Sequence, residues 1–135
     1  MPDNKSDYDI QNEKIQNRMS LIKRKIVVMS GKGGVGKTTV TVNIASALAS
    51  MGLKVGILDT DVHGPNVAMM LGCEDGSVLS PDGVVMYPVE TEKGIKVMSL
   101  SFVLSDPDEA IIWRGAMKMS AIRQFLGDTE WGELD

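Results

Sequence analysis

The sequence predicts an α/β fold in which a parallel β-sheet is flanked by helices. A short β-branched run at residues 25–30 is followed by a glycine-rich stretch, a helix-like stretch at residues 37–51 and a second apolar run at residues 54–59. Strand, loop, helix and strand in this order form a βαβ unit, whose two strands lie parallel in one sheet. A chain of 135 residues suits one such domain.

The helix at residues 37–51 is predicted from an apolar stripe along one of its faces. Gly52 follows it and is expected to end it in a left-handed conformation. The stripe consists of Val40, Ile44, Ala47, Leu48 and Met51.

Shorter patterns predict the remaining elements. Near-helical spacing at residues 8–22 indicates an amphipathic helix that packs on the domain or on a partner. Turn residues at Pro81-Asp82-Gly83 and at Glu92-Lys93-Gly94 bound two further strands. The predicted ranges are a short helix over residues 66–71, strands over residues 84–89 and 95–101, and a helix over residues 117–126.

Charge and cysteine content exclude several kinds of protein. The net charge of −4 argues against a general nucleic-acid surface, which needs clustered basic side chains. The single cysteine, Cys73, permits no internal disulfide and no CxxC metal pair, and we interpret it as an ordinary small residue. No apolar run approaches the roughly 18 residues of a membrane span, and the amino terminus has no apolar signal core. We therefore expect a cytoplasmic protein without membrane or nucleic-acid partners.

Residues 31–38 match the phosphate-loop pattern G-x-x-x-x-G-K-[ST] in its proper context, between a strand and a helix. Glycines let main-chain N–H groups approach phosphate oxygens, and the helix amino terminus adds positive potential. Lys37 contributes a full charge toward the β- and γ-phosphates, and the Thr38 hydroxyl is suited to Mg²⁺. The predicted ATP-binding residues are Gly31, Lys32, Gly33, Gly34, Val35, Gly36, Lys37, Thr38 and Thr39.

Two carboxylates follow the second predicted strand, in the sequence Asp59-Thr60-Asp61. A carboxylate at the carboxyl end of a parallel strand points into the ligand crevice of an open α/β sheet. We therefore expect these side chains beside the bound nucleotide. His63, the only histidine, is interpreted as a surface residue.

An ordinary phosphate loop does not require lysine at its second position, where this chain has Lys32. With Lys32, the loop resembles that of the deviant Walker A ATPases, a class that includes the partition ATPases, the MinD proteins and the nitrogenase iron protein. In that class the matching lysine reaches across a dimer and stabilises transition-state charge on the partner's nucleotide. The resemblance implies catalytic roles for Lys32 and for Asp61, which would position or deprotonate the attacking water. It also implies that Asp59 lies nearer to the metal ion, which makes Thr38 and Asp59 the predicted metal residues.

Further segments narrow the resemblance to the Mrp (ApbC) family over residues 24–135. Members of that family bind ATP and carry a [4Fe–4S] cluster, which they deliver to apoproteins, and they are cytoplasmic homodimers. The resemblance implies the same properties here, with residues 1–23 as an amino-terminal extension. The similar segments are Asp59-Thr60-Asp61-Val62-His63-Gly64-Pro65-Asn66, Gly94-Ile95-Lys96-Val97-Met98-Ser99, Asp106-Pro107-Asp108-Glu109-Ala110, Trp113-Arg114-Gly115 and Trp131-Gly132-Glu133-Leu134-Asp135.

Two departures from the family pattern change what is expected. Ala116 stands where the family commonly has proline. In the family, the residues after the segment that matches 131–135 form a strand, a switch II loop and, farther on, the CxxC pair that ligates the cluster. Cluster ligation needs several thiolates, which Cys73 alone cannot supply. We therefore expect the amino-terminal half of such a carrier, with an incomplete P-loop sheet that does not itself ligate the cluster.

Two other functions stay open at this point. A positioning ATPase like MinD or the partition proteins shares the loop and Lys32, but the segments around Trp113 and Trp131 disfavour it. A non-catalytic nucleotide-binding module is the third interpretation. A CxxC pair elsewhere in the protein would favour the carrier, and a terminal amphipathic helix would favour the membrane-positioning ATPase.

Overall fold

The computed structural model describes residues 5–29, 36–61, 67–73, 78–102 and 115–135. Within these ranges, no helix combines the length and the apolar character that crossing a bilayer requires. The helices are α1 (Asp7–Ser20), α2 (Lys37–Ser50), α3 (Val67–Met70) and α4 (Gly115–Asp128), with a 3₁₀ turn at Leu100–Phe102. The strands are β1 (Gly56–Asp59), β2 (Val89–Glu90) and β3 (Lys96–Ser99).

The three strands form one sheet in the order β1–β3–β2. β1 and β3 are parallel, with Gly56 opposite Lys96 and Asp59 opposite Ser99. A parallel pair needs a long connection between its strands, and α3 and β2 lie within that connection. The parallel pair and the helices around it confirm the predicted α/β class.

β2 is shorter than the strand predicted over residues 84–89. Its two residues pair antiparallel with β3, and the preceding Met86 and Tyr87 form only isolated bridges. Met86 bridges to Thr129 and Tyr87 to Leu79, so neighbouring residues are drawn to different partners. A continuous ladder with β3 is therefore limited to Val89–Glu90.

The sheet is the middle of three layers, because successive side chains of a strand point to opposite faces. Ile57 and Val97 pack with α2 and α3 on one face, and Met98 packs with α4 on the other. The buried residues of the first face are Val42, Ala45, Ile57, Val67, Ile95 and Val97, and those of the second are Met86, Met98, Leu100, Ala121, Phe125, Trp131 and Leu134.

The predicted strand over residues 25–30 is not a strand in the described part of that range, residues 25–29. Three of its apolar side chains are largely exposed: Ile26 by 68%, Val27 by 78% and Met29 by 82%. A strand needs a neighbour for its N–H and C=O groups, and none of the described strands lies beside this segment. The prediction fails because the β-branched pattern specifies a strand only where a partner is present.

The prediction of which face of α2 packs on the core is also wrong. The buried residues are Val42 and Ala45, while Val40, Ile44 and Met51 are 48%, 41% and 73% exposed. α2 is apolar around most of its circumference, so its periodicity alone does not select the packed face. The predicted end of the helix is confirmed, since Gly52 has φ +85°.

α1 packs along α4 through both polar and apolar contacts, and none of its residues is fully buried. The guanidinium of Arg123 lies 4.5 Å from the ring centre of Tyr8 and donates hydrogen bonds to Gln11 and Asn12. Close packing is required at Gly127, where an added Cβ would lie 3.2 Å from the Ile15 side chain. The segment before residue 24 therefore contacts the rest of the chain along a whole helix.

The stretch Leu134–Asp135 links two segments that are distant in sequence. The N–H of Leu134 donates to the carbonyl of Leu21 at 3.1 Å, and the N–H of Lys23 donates to the carbonyl of Leu134 at 3.0 Å. The N–H of Asp135 donates to the carbonyl of Lys54 at 2.8 Å. Residues 134–135 therefore lie between the segment before residue 24 and the start of β1.

Candidate functional site

The carboxyl ends of the two parallel strands meet at one edge of the sheet. β1 ends at Asp59 and β3 ends at Ser99, directly opposite in the register. Ligands of open α/β sheets bind outside the carboxyl ends of the strands. This edge is therefore where the structure brings together the side chains that can act on a ligand.

The amino terminus of α2 presents the described part of the phosphate loop. Gly36 has φ +91°, a left-handed conformation that glycine adopts without strain, and α2 begins at Lys37. The first N–H groups of a helix have no partner within it and carry the positive end of the helix dipole. Since Gly36 has no side chain to cap them, Lys37 and Thr38 begin a helix that is suited to an anionic ligand.

Lys37 links α2 to the end of β1. Its Nζ lies 3.7 Å from Oδ2 of Asp61, and each side chain is about one-third exposed, by 36% and 37%. An ion pair of this exposure contributes only about 0–1 kcal/mol. A phosphate group with several charged oxygens can therefore replace the Asp61 carboxylate at Lys37 at small cost.

Asp59 is the buried carboxylate of the site, at 8% exposure. One oxygen accepts the N–H of Asp61 at 3.1 Å, and the other accepts the N–H of Val67 at 3.3 Å and the hydroxyl of Ser99 at 3.4 Å. Burial raises the pKa of the Asp59 carboxyl above its ordinary value, and the two backbone N–H groups oppose that shift. These donors partly replace the water that a buried carboxylate loses.

The described part of the chain contains only some of the predicted site residues. Lys37 and Asp61 converge with Asp59 at the carboxyl edge of the sheet. Thr38 and Thr39 lie in the first turn of α2, where Thr38 is half-buried and Thr39 is exposed. The predicted residues Gly31, Lys32, Gly33, Gly34 and Val35 lie outside the described residues, as does His63.

The donors present at this edge fit a magnesium nucleotide. A lysine ammonium and a helix amino terminus suit phosphate, and the hydroxyl of Thr38 and carboxylate oxygens are hard ligands of the kind that Mg²⁺ prefers. Among the described residues, no three Cys, His, Asp or Glu side chains are grouped so that they could hold a metal ion by themselves. Phosphate oxygens and water would therefore have to supply the other ligands of Mg²⁺ at this edge.

Cys73 lies in the packing beside α3 rather than at the carboxyl edge of the sheet. It is half-buried and contacts the core cluster that contains Val67. Burial raises the pKa of the Cys73 thiol, which lowers its thiolate fraction at neutral pH. This environment agrees with the interpretation of Cys73 as an ordinary small residue.

Sequence reasoning missed Ser99. Part of the signal was available, because a serine follows the apolar pair Val97-Met98 at the end of a strand, and the parallel pairing of that strand with β1 places it opposite Asp59. A buried hydroxyl in such a run indicates a specific hydrogen-bond partner.

Comparison with known proteins shows which family the chain resembles. A sequence model of the ParA family, described as NUBPL iron-transfer P-loop NTPase, matches residues 21–135. An iron-sulfur cluster carrier protein from Methanococcus maripaludis is 53% identical over 133 residues, covering 98% of this chain and 46% of that protein. A cytosolic Fe-S cluster assembly factor, the NUBP1 homolog of Caenorhabditis elegans, is 52% identical over 124 residues, covering 90% of this chain and 39% of that protein.

A solved structure extends the similarity to the fold. A nucleotide-binding protein from Archaeoglobus fulgidus, in complex with ADP, superimposes with a TM-score of 0.76 at 46% identity. The match covers 92% of this chain and 46% of that protein, so the chain spans about half the length of such relatives. The family match covers most of the chain and includes the phosphate loop and both carboxylates. The chain therefore belongs to the ParA family of P-loop NTPases, in the group described as NUBPL iron-transfer P-loop NTPases.

Proposed function

We propose that this chain is the nucleotide-binding half of an ATP-hydrolysing iron–sulfur cluster carrier that delivers [4Fe–4S] clusters to apoproteins. The observation that carries the proposal is the convergence of Lys37, at the start of α2, with Asp61, just after β1, at a distance of 3.7 Å. A phosphate-binding cation and a carboxylate able to act on water are the two groups that phosphate transfer to water requires. Relatives near 50% identity are an iron-sulfur cluster carrier protein and an Fe-S cluster assembly factor, which favours a cluster carrier over a positioning ATPase.

The proposed nucleotide site comprises residues 31–39. The backbone N–H groups of the loop and of the first turn of α2 bind the phosphates, and Lys37 neutralises part of their charge. Thr38 holds Mg²⁺, and Asp59, whose oxygens already accept three hydrogen bonds, contacts the waters of the ion. When bound, Mg²⁺ supplies charge stabilisation to the phosphate oxygens.

The proposed catalytic residues act on opposite sides of the nucleotide. Asp61 orients the attacking water once the phosphates have taken its place at Lys37. Lys32 acts from the second subunit of a homodimer on the charge that develops in the transition state. ATP hydrolysis then changes how the two subunits contact each other and is coupled to release of the cluster.

The cluster is cargo, and this chain does not ligate it. The only cysteine is half-buried Cys73, and one thiol in each subunit is too few for a [4Fe–4S] cluster. Cysteines outside residues 1–135 therefore hold the cluster in the proposed carrier. We place the protein in the cytoplasm, with iron–sulfur apoproteins as its partners.

Cluster transfer tests this proposal in the complete protein. The protein is loaded with a [4Fe–4S] cluster, and transfer to an apoprotein that needs the cluster for activity is followed with and without Mg-ATP. Lys37→Ala is the test variant, and Lys93→Ala, an exposed lysine in the turn at the opposite end of β3, is the control. We expect nucleotide to change the transfer rate in wild type and control but not in Lys37→Ala. A rate of cluster transfer that is changed neither by Mg-ATP nor by the Lys37 substitution would contradict the proposal.

A further inference from the structure

Ser99 is a polar residue in a fully buried stretch, residues 97–100. Val97, Met98 and Leu100 around it have 0% exposure, as has Ser99 itself. A hydroxyl at such a position is unfavourable unless it is hydrogen bonded. Ser99 donates to Asp59 at 3.4 Å across the β1–β3 pair, so this buried hydroxyl has a charged hydrogen-bond partner.

Asp59 fixes two points of the chain with one carboxylate. Its Oδ1 accepts the N–H of Asp61, which fixes where the chain leaves β1, and its Oδ2 accepts the N–H of Val67, which fixes where α3 begins. Val67 is itself anchored, with 3% exposure in the core. The orientation of this carboxylate therefore sets the position of the Asp61 backbone relative to the sheet.

We propose that Ser99 and Asp59 are positioning residues for Asp61: the Ser99 hydroxyl sets the rotation of the Asp59 carboxylate, which in turn holds the Asp61 backbone. This inference rests on the proposed function, in which Asp61 acts on the attacking water. Ser99 is bonded to the oxygen that accepts Val67, so it leaves the other oxygen facing Asp61. Without the hydroxyl, the carboxylate can turn, and Asp61 loses its alignment with the water.

The proposal separates turnover from nucleotide affinity. The phosphate-binding groups, Lys37 and the first turn of α2, belong to a different element from Ser99, which ends β3. In the proposed site Asp59 contacts Mg²⁺ only through water, so a loss of Ser99 should reduce the reaction step far more than it weakens nucleotide binding. A residue that only supported the fold would reduce both together, because it would lower the amount of folded protein.

The test uses the complete protein and measures kcat for ATP hydrolysis and the Kd of Mg-ADP by calorimetry. For Ser99→Ala we expect kcat to fall about tenfold, the low end for a hydrogen bond to a charged group, since the bond is long. The Kd should stay within about twofold of wild type. Ser80→Ala, at an exposed serine, is the control and should change neither quantity.

A second pair of variants keeps the test decisive if Ser99→Ala does not fold. Thr and Val have nearly the same shape, so Ser99→Thr and Ser99→Val differ chiefly in the hydroxyl. We expect Ser99→Thr to retain several times the kcat of Ser99→Val at equal affinity for Mg-ADP. In an Asp61→Ala background, Ser99→Ala should have little further effect, because both residues act through one group.

The outcomes distinguish this inference from the function on which it rests. A wild-type protein without ATP turnover overturns the proposed function, and the positioning role falls with it. Wild-type turnover that is unchanged in Ser99→Ala, or equal in the Thr and Val variants, overturns the positioning role alone. Equal losses of kcat and of Mg-ADP affinity show that Ser99 only supports the fold and also overturn it.

Discussion

The tripeptide Val-Met-Ser occurs twice in the chain, at residues 28–30 and 97–99, and the two copies have different structures. The second copy lies in β3, where Met98 has 0% exposure between β1 and β2. Met29, in the first copy, is 82% exposed, in a segment that joins none of the described strands. Because the local sequence is the same, the difference comes from the neighbours, and strand structure here depends on a partner on at least one edge.

The comparison predicts that the same substitution costs far more stability in the second copy than in the first. In the chain of residues 1–135, Met98→Ala should cost about 2–5 kcal/mol, because it empties a closed core site. Met29→Ala should change stability by less than about 0.5 kcal/mol, because the side chain is already in water. Unfolding in urea, followed by far-ultraviolet circular dichroism, measures both. Equal losses would show that Met29 is buried in solution and that the two copies are not different.

The catalytic prediction concerns one residue that follows a paired strand and one that follows the exposed segment with the first copy. Asp61 follows the paired strand β1, and Lys32 follows the unpaired segment 25–29. In the complete protein, Asp61→Ala and Lys32→Ala should each lower kcat about 100-fold while Mg-ATP affinity stays within about threefold. Steady-state ATP hydrolysis and calorimetry measure the two quantities, with Lys93→Ala as the control. Unchanged turnover in both variants would remove their catalytic roles.

A smaller loss of stability is expected for Arg123, whose contacts with α1 are polar. Arg123 holds α1 on α4 through Tyr8, Gln11 and Asn12, and α1 contributes no fully buried residue. Arg123→Ala should lower the free energy of opening α1 by about 1–2 kcal/mol. Trypsin cleavage at Lys14 and Arg18 should then be faster by about 5- to 30-fold.

Gln124→Ala is the matched control, since Gln124 is exposed on the same helix. Its cleavage rate should match that of the wild type. If Arg123→Ala is cleaved no faster than Gln124→Ala, α1 is held by other contacts, such as Ile15 against Gly127.

The sequence predicts what depends on local chemistry and fails where tertiary partners decide. The phosphate-loop pattern, the strand that ends at Asp59 and the left-handed Gly52 all follow from residues close together in the chain, and the described parts of all three are observed. The strand at residues 25–30 and the packed face of α2 depend on what lies beside them. The β-branched run can be a strand or an exposed segment, and a helix that is apolar on most sides can pack on more than one face. The sequence alone does not choose between these structures.

The site shows the same division. The sequence identifies Lys37, Asp59 and Asp61 as site residues from their residue types and spacing. It does not predict which groups they contact. The burial of Asp59 and its bond to Ser99 follow from the β1–β3 register, which pairs residues 40 apart in the sequence. Such a register becomes predictable only after the order of the strands is known.

The central claim is that the amino terminus of α2, with Lys37, binds the phosphates of a nucleotide. Titration of the complete protein with Mg-ADP by calorimetry tests it most directly, in wild type, Lys37→Ala and the control Lys93→Ala. Loss of a charge-assisted contact predicts binding about 10- to 100-fold weaker in Lys37→Ala and an unchanged Kd in the control. Equal affinities in wild type and Lys37→Ala would contradict the assignment of this site.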